Sequence, residues 1–169
     1  MIFLGIDPGM SGGIGVMTMA GDAEKANVSS VIFNKMTEMD ISIEFESLKA
    51  KSAYSGGILA FIENVHGFPG MSVVAVSSFM GNFGFLRGCL YSHNIPFDLV
   101  SPQRWQKELG CRTHGDKNIS KAKAQQLFPE LKITHANADA ILLAEYCRRI
   151  WKQRYAVGIT ALSKAEEKG

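Results

Sequence analysis

Short apolar runs separated by turn residues dominate the first hundred positions of the chain, and they predict β-strands. Runs of this kind, bounded by Gly, Pro and Asp, are typical of strands buried in a sheet. The second run alternates small and apolar residues and would pair back on the first as a hairpin. The strands predicted in this way cover residues 2–6, 12–19, 30–34, 58–62 and 96–100.

The segments between and after these strands place their apolar residues every three or four positions, which predicts amphipathic helices. Ser101 and Pro102 supply an N-cap followed by proline at the first helical position, and Gly110 supplies a stop. The predicted helices cover residues 41–51, 71–91, 102–110, about 117–128 and 137–153. This order of elements indicates the α/β class, with helices packed on a mixed central sheet.

The chain of 169 residues is long enough for one domain with its own hydrophobic core. Neither an internal repeat nor a linker divides it. We therefore predict a single domain over residues 1–155 and a C-terminal tail at 156–169, which is weakly helical or disordered beyond Thr160.

The helix predicted at 71–91 contains Gly81, Gly84 and Gly88 within an apolar run. Glycine inside a helix costs roughly 1 kcal/mol relative to alanine, so its repeated use suggests close backbone contact with another chain. We expect this helix to form the contact of a homodimer. The alternative is that its apolar side chains face only the core of the monomer.

Charge is informative through its distribution. The net charge of +2 is too small to identify a partner, and 46% hydrophobic residues are ordinary for a soluble globular protein. Basic residues nevertheless concentrate in two clusters, which either contact phosphates or form solvated helix faces. The first cluster is Arg104, Lys107, Arg112, Lys117, Lys121 and Lys123, and the second is Arg148, Arg149, Lys152 and Arg154.

Cysteine usage and the N-terminus indicate the compartment. The three cysteines are single and widely spaced, without the spacing of a zinc site. An odd number of cysteines without a secretory signal favours the reducing cytoplasm. We identify no apolar run long enough to cross a bilayer, and we expect no membrane partner.

Three acidic residues occupy positions that suggest chemistry. Asp7 and Glu63 each end an apolar strand, and Asp139 falls in the first turn of the last helix. Each has an ordinary structural explanation, namely a turn residue or an acid stabilised at a helix N-terminus. If all three converge, a cation must offset their repulsion. Hard oxygen ligands favour Mg²⁺ or Mn²⁺.

Three sequence blocks that contain these acids, GIDPG, FIENV and NADAILLAEY, resemble in order and spacing the RuvC family of Holliday junction resolvases. These enzymes belong to the retroviral-integrase and RNase H-like superfamily, and the chain is similar to its small phage-encoded members. The resemblance implies an RNase H-like fold and an endonuclease that nicks branched DNA. It also implies that Asp7, Glu63 and Asp139 ligate two Mg²⁺ ions, with Mn²⁺ as a substitute.

Those two ions would clamp the attacking and leaving oxygens of an in-line displacement and leave 5′-phosphate and 3′-hydroxyl ends. The family usually has a fourth ligand three residues before the last Asp, where this chain has Ala136. His135 lies four residues before Asp139, and on a helix these positions share a face. His135 is therefore either a metal ligand or a residue that only precedes the helix.

The resemblance also points to two residues that contact DNA. Lys117 corresponds approximately to a lysine beside the active site, where it would stabilise the charge of the scissile phosphate. It could equally be a solvated lysine at a helix start. Phe68 lies in the loop after Glu63 and would stack on a base at the junction centre, or it anchors the loop. The remaining predicted DNA contacts are Arg104, Lys107, Arg112 and Lys121.

Other functions fit parts of the same pattern. A related nuclease could act on RNA, flaps or forks. An actin-like phosphotransferase would use GIDPGMSGG as a phosphate hairpin, but 169 residues leave little room for its second half. The absence of an acid at Ala136 is the feature that favours a non-catalytic protein that binds DNA branches.

Overall fold

The structure is a computed structural model and describes residues 1–19, 26–67 and 69–166, with residues 155–166 given by their backbone alone. Its strands are β1 (Ile2–Asp7), β2 (Gly13–Thr18), β3 (Asn27–Ile32), β4 (Ile58–Glu63) and β5 (Phe97–Val100). Its helices are α1 (Glu38–Ser52), α2 (Val73–Ser92), α3 (Pro102–Leu109), α4 (Lys117–Leu127) and α5 (Ala138–Glu166).

The strands form a mixed sheet in the order β3-β2-β1-β4-β5. β1, β2 and β3 pair antiparallel, whereas β1, β4 and β5 are parallel. The sheet and its flanking helices confirm the predicted α/β architecture. In this order β1 and β4 are neighbours, so their C-terminal ends meet at one edge of the sheet.

Alternate side chains of β1 enter two cores on opposite faces of the sheet. Ile2, Leu4 and Ile6 belong to the core under α1 and α2. Phe3 belongs to the core under α3, α4 and α5. Because β1 is covered on both faces, its sequence is a continuous apolar run without polar alternation.

Two glycines let α5 lie directly on the sheet. Gly5 of β1 and Gly15 of β2 are partners in the antiparallel register. A Cβ at Gly5 would lie 2.1 Å from the Ala144 nitrogen, and one at Gly15 would lie 2.3 Å from the Ala140 oxygen. Only glycine fits at these two positions. The close approach brings the first turn of α5 beside the end of β1.

The sheet covers only one side of α2. Phe83, Leu86 and Leu90 are buried in the core, while Val73 and Val74 are 84% and 76% exposed. By length and composition α2 could cross a membrane, contrary to our expectation that no run is long enough. Core helices of soluble proteins pass the same test, so this property alone carries no conclusion about a membrane.

Element boundaries differ from the prediction in several places, and α1 begins at Glu38, three residues before the predicted helix. β3 begins at Asn27, three residues before the predicted strand, and ends at Ile32. α5 continues as backbone helix through residue 155 to Glu166, so no break separates the predicted domain from the predicted tail. The helix predicted at 71–91 and the strand at 96–100 match α2 and β5 closely.

Candidate active site

Asp7 and Glu63 end adjacent parallel strands and point to the same face of the sheet. Side chains alternate along a strand, so Asp7 shares the face of Phe3, and Glu63 shares the face of Phe61. Both phenylalanines lie in the core that α5 covers. The ends of two parallel strands therefore present two carboxylates towards α5.

The backbone after Asp7 holds that carboxylate in place. The Gly9 N–H donates to Asp7 Oδ1 across 2.9 Å, and the Gly12 N–H donates to the Gly9 carbonyl across 2.8 Å. These bonds form a tight turn between β1 and β2. Burial raises the pKa of Asp7; the Gly9 hydrogen bond opposes the rise and the Asp139 carboxylate adds to it.

Asp139 lies in the first turn of α5 and completes the acidic group. Its Oδ1 is buried without a hydrogen-bond partner among the described residues. The electrostatic influence of Asp139 on both Asp7 and Glu63 shows that the three carboxylates are neighbours. A buried carboxylate oxygen without a donor is costly unless a cation or water occupies the space beside it.

The pKa of Glu63 is raised as well. Burial raises the pKa of Glu63 to about 7, and the Asp7 and Asp139 carboxylates add to the rise. A hydrogen bond from the Trp105 indole, Nε1 to Oε1 at 2.9 Å, and the charge of Lys117 act in the opposite direction. Near neutral pH the Glu63 carboxyl is therefore partly protonated, and a metal ion that binds it would have to displace this proton.

The side chains of the site are of the kind that binds a divalent cation, but they are not arranged around one. Three hard carboxylates, one with a partnerless buried oxygen, form the donor set that Mg²⁺ prefers. Yet no three His, Cys, Asp or Glu side chains, among the residues that the structure describes, are arranged to hold an ion by themselves. An ion there would need movement of these side chains or further oxygen ligands.

Lys117 is the cation of this site. It is exposed at the first position of α4, where Asp116 caps the helix by accepting from the Asn118 N–H at 2.9 Å. Its charge acts on both Asp7 and Glu63. The structure thus brings together four residues proposed from sequence, Asp7, Glu63, Asp139 and Lys117.

The other predicted ligand and the predicted stacking residue are placed differently. His135 is exposed in the turn that precedes α5, so it does not share a regular helix with Asp139. Its role as a metal ligand stays a prediction. Phe68 lies outside the described residues, and its role in stacking on a base also stays a prediction.

The two basic clusters differ in how their charge is used. In the second cluster, Arg148 and Arg149 both bind the buried Glu145 carboxylate at 2.7 Å. Arg154 lies 3.7 Å from Asp98. In the first cluster no ion pair to another described residue forms, and all members but the partly buried Lys121 and Lys123 are exposed. The exposed members are Arg104, Lys107, Arg112 and Lys117.

Sequence reasoning missed two residues that contact the site. Trp105 is fully buried and bonds Glu63, and its signal was a tryptophan on the apolar face of a short helix after a strand. Asn82 donates to the Pro8 carbonyl at 2.7 Å. Nothing in the local pattern of α2 marks that asparagine, because its partner is 74 positions away.

Solved structures with a fold similar to this chain include two of RuvC. The chain is similar to the Thermus thermophilus RuvC structure, with 14% identity, a TM-score of 0.54, and coverage of 89% of this chain and 96% of that one. It is also similar to T. thermophilus RuvC in complex with Holliday junction substrate, with 17% identity, a TM-score of 0.57, and coverage of 86% and 92%.

These likenesses show that the chain has the fold of RuvC, and they confirm the predicted RNase H-like class. Each covers most of both chains, so the likeness extends over the fold as a whole. No family model and no curated protein matches the sequence.

Proposed function

We propose that this protein is a metal-dependent endonuclease that nicks branched DNA, with the four-way Holliday junction as its first substrate. The observation that carries the proposal is the convergence of Asp7, Glu63 and Asp139 beside Lys117. They meet on a fold shared with a protein solved in complex with Holliday junction substrate. At this low identity the fold alone does not assign the activity, so the proposal depends on the site.

In this proposal the three carboxylates hold two divalent cations, Mg²⁺ or Mn²⁺. Bound cations would supply an activated water and stabilise the departing 3′-oxygen. Lys117, already close to Asp7 and Glu63, would bind the scissile phosphate and stabilise its added negative charge. The products would carry 5′-phosphate and 3′-hydroxyl ends.

The basic residues of α3, α4 and the loop between them would hold the DNA backbone. Arg104, Lys107 and Arg112 have no competing ion pair within the described part of the chain. Their charge is therefore available to phosphates, and the affinity should fall steeply with salt. Phe68 would supply the base-stacking contact at the junction centre.

A homodimer would match the two symmetric strands of a four-way junction. The outer side of α2 supports this, because Gly81, Gly84 and Gly88 each face open space where a Cβ would meet no atom within 4 Å. Tyr91, on the same helix, is 67% exposed. Small residues along an exposed apolar helix allow a second helix to approach closely.

A cytoplasmic location fits the cysteines. Cys89, Cys111 and Cys147 are all buried as free thiols. Burial raises the pKa of the Cys111 thiol to about 11, so it is protonated and unreactive at neutral pH.

The decisive experiment incubates the purified protein with a synthetic four-way junction, a replication fork and a linear duplex, each with Mg²⁺ and with EDTA. Paired nicks on the junction that disappear with EDTA and in Asp7→Asn would support the proposal. Equal cutting of forks would keep the metal chemistry but broaden the substrate to branched DNA in general. Tight junction binding without cutting in Mg²⁺ or Mn²⁺ would leave a protein that only binds branches.

A further inference from the structure

The buried indole of Trp105 contacts the candidate active site through a single hydrogen bond. Its Nε1–H donates to Glu63 Oε1 across 2.9 Å. The side chain is 0% exposed and is the largest among the fully buried ones. A tryptophan has one polar atom, and when buried it needs an acceptor. Here the acceptor is a carboxylate that is proposed to bind a metal ion.

The pairing of β4 with β5 places Trp105 next to Glu63. Glu63 and Val100 are partners in the parallel pair of β4 and β5, and the Asn64 N–H donates to the Val100 carbonyl at 2.8 Å. α3 begins two residues later at Pro102, and its Trp105 and Leu109 are one helical turn apart and both buried. The start of α3 is thus fixed relative to the end of β4.

The hydrogen bond makes the two oxygens of the Glu63 carboxylate different. Oε1 accepts from the indole, whereas Oε2 makes no hydrogen bond to a described residue. One oxygen is held by the protein interior and the other is left for an external partner. Residues that orient a metal ligand in this way are known to tune metal affinity.

We infer that Trp105 is a positioning residue that holds the Glu63 carboxylate for cation binding at the candidate active site. The inference rests on the proposed function. It assigns to α3 a role in building the site, in addition to its predicted role in contacting DNA.

The chain offers an internal probe, because it contains only two tryptophans. Trp151 is partly buried and packs against Phe3, with ring centroids 5.4 Å apart. Phe3 lies four residues from Asp7 along β1, or about 13 Å. In Trp151→Phe all indole emission comes from Trp105 at the site, and in Trp105→Phe all of it comes from the distant Trp151.

The first arm of the test titrates both single-tryptophan proteins with Mg²⁺. We expect a saturable change of emission in Trp151→Phe and none in Trp105→Phe. Adding Glu63→Gln to the Trp151→Phe protein should abolish the change. This arm keeps Trp105 in place, so it holds even if Trp105→Phe folds poorly.

The second arm measures the rise of Tm with Mg²⁺, which reports affinity by linkage. Trp105→Phe should weaken Mg²⁺ binding by roughly 10–100-fold and raise the Mg²⁺ concentration for half-maximal nicking more than it lowers the rate at saturation. Leu109→Ala, a core change on the same helix, should lower Tm but leave the Mg²⁺ affinity unchanged.

The outcomes separate the two proposals. If the unmodified protein binds Mg²⁺ and nicks junctions, but Trp105→Phe binds Mg²⁺ equally well, the positioning role is overturned and the proposed function stands. An emission from Trp105 that stays constant while Mg²⁺ raises Tm would also overturn it. If the unmodified protein neither responds to Mg²⁺ nor nicks DNA, both proposals fall together.

Discussion

The side-chain amide of Asn82 donates to the backbone carbonyl of Pro8 across 2.7 Å. Pro8 is buried and directly follows Asp7. This bond connects α2 to the turn that orients one of the three candidate catalytic carboxylates. The opposite side of α2 carries the exposed glycines of the proposed dimer contact, so one helix joins that surface to the site.

Asn82→Ala should lower the rate of junction nicking by about tenfold or more, since small displacements of a reacting group are costly. The loss of one hydrogen bond should reduce the free energy of unfolding by about 1 kcal/mol. Nicking kinetics and urea unfolding measure both effects. Ser78→Ala, at an exposed position one turn before Asn82 on the same helix, is the matched control and should change neither.

Gly15→Ala should destabilise the fold by about 3 kcal/mol. The added methyl group would lie 2.3 Å from the Ala140 oxygen, so α5 and its Asp139 would have to move away from the sheet. Urea unfolding measures the change, and Ser29→Ala on the exposed side of β3 serves as control. Surface substitutions usually change the free energy of unfolding by less than about 0.5 kcal/mol. A change that small for Gly15→Ala would contradict direct contact of α5 with the sheet.

The raised pKa of Glu63 predicts a pH dependence of metal-free stability. Glu63 ionises near 4.5 in the unfolded chain and at about 7 in the folded protein, so between these values the folded state binds more protons. Its contribution is therefore fully present below pH 4.5 and is lost as the pH rises through about 7. The difference is on the order of 2–3 kcal/mol, or about 5–10 °C in Tm.

This dependence is measured as Tm against pH in EDTA, with Glu63→Gln as the reference that cannot ionise. The gap between the two proteins should widen in favour of Glu63→Gln as the pH rises from 5 to 8. Saturating Mg²⁺ should narrow it by stabilising the ionised Glu63. A constant gap across this range would show that Glu63 has an ordinary pKa.

Gly84→Glu should separate the proposed dimer without unfolding the monomer. The position faces open space, so the side chain fits on the isolated chain, but it would place an unpaired charge in the contact. The dissociation constant should rise by ~10²-fold or more, measured by light scattering after size-exclusion chromatography. Ala122→Glu, exposed on α4, is the control. A monomeric mass for the unmodified protein would rule out this interface.

Lys117 and Lys121 lie one helical turn apart on α4. Their replacement should affect different steps. Lys117→Met should lower the maximal nicking rate by about 10²-fold, as expected for loss of a charge that stabilises the transition state. Lys121→Met should instead weaken junction binding and reduce its salt dependence by about one ion. Binding and single-turnover kinetics on the same junction distinguish the two. Equal effects of both changes would mean that Lys117 acts only as a DNA contact.

Much of the fold was visible in local patterns. The apolar runs that end at Asp7 and Glu63 predicted β1 and β4, because a strand covered on both faces needs continuous apolar residues. The proline and glycine around α3 marked its two ends, since their effects depend on the nearest backbone positions alone. The positions of Asp7, Glu63 and Asp139 suggested an acidic site, and the family resemblance implied that the three carboxylates share it, but local patterns alone did not make their strands neighbours.

The remaining features depend on residues far apart in the chain. Asn82 reaches Pro8, Trp105 reaches Glu63, and Gly5 and Gly15 admit α5 only because the sheet order puts these pieces together. Charge behaves in the same way, since Arg148 and Arg149 both pair with the Glu145 carboxylate while the lysines of α3 and α4 form no ion pair with a described residue. Periodicity reports which face of an element is buried, but the partner on that face, and with it the pKa of Glu63, is decided by three-dimensional packing.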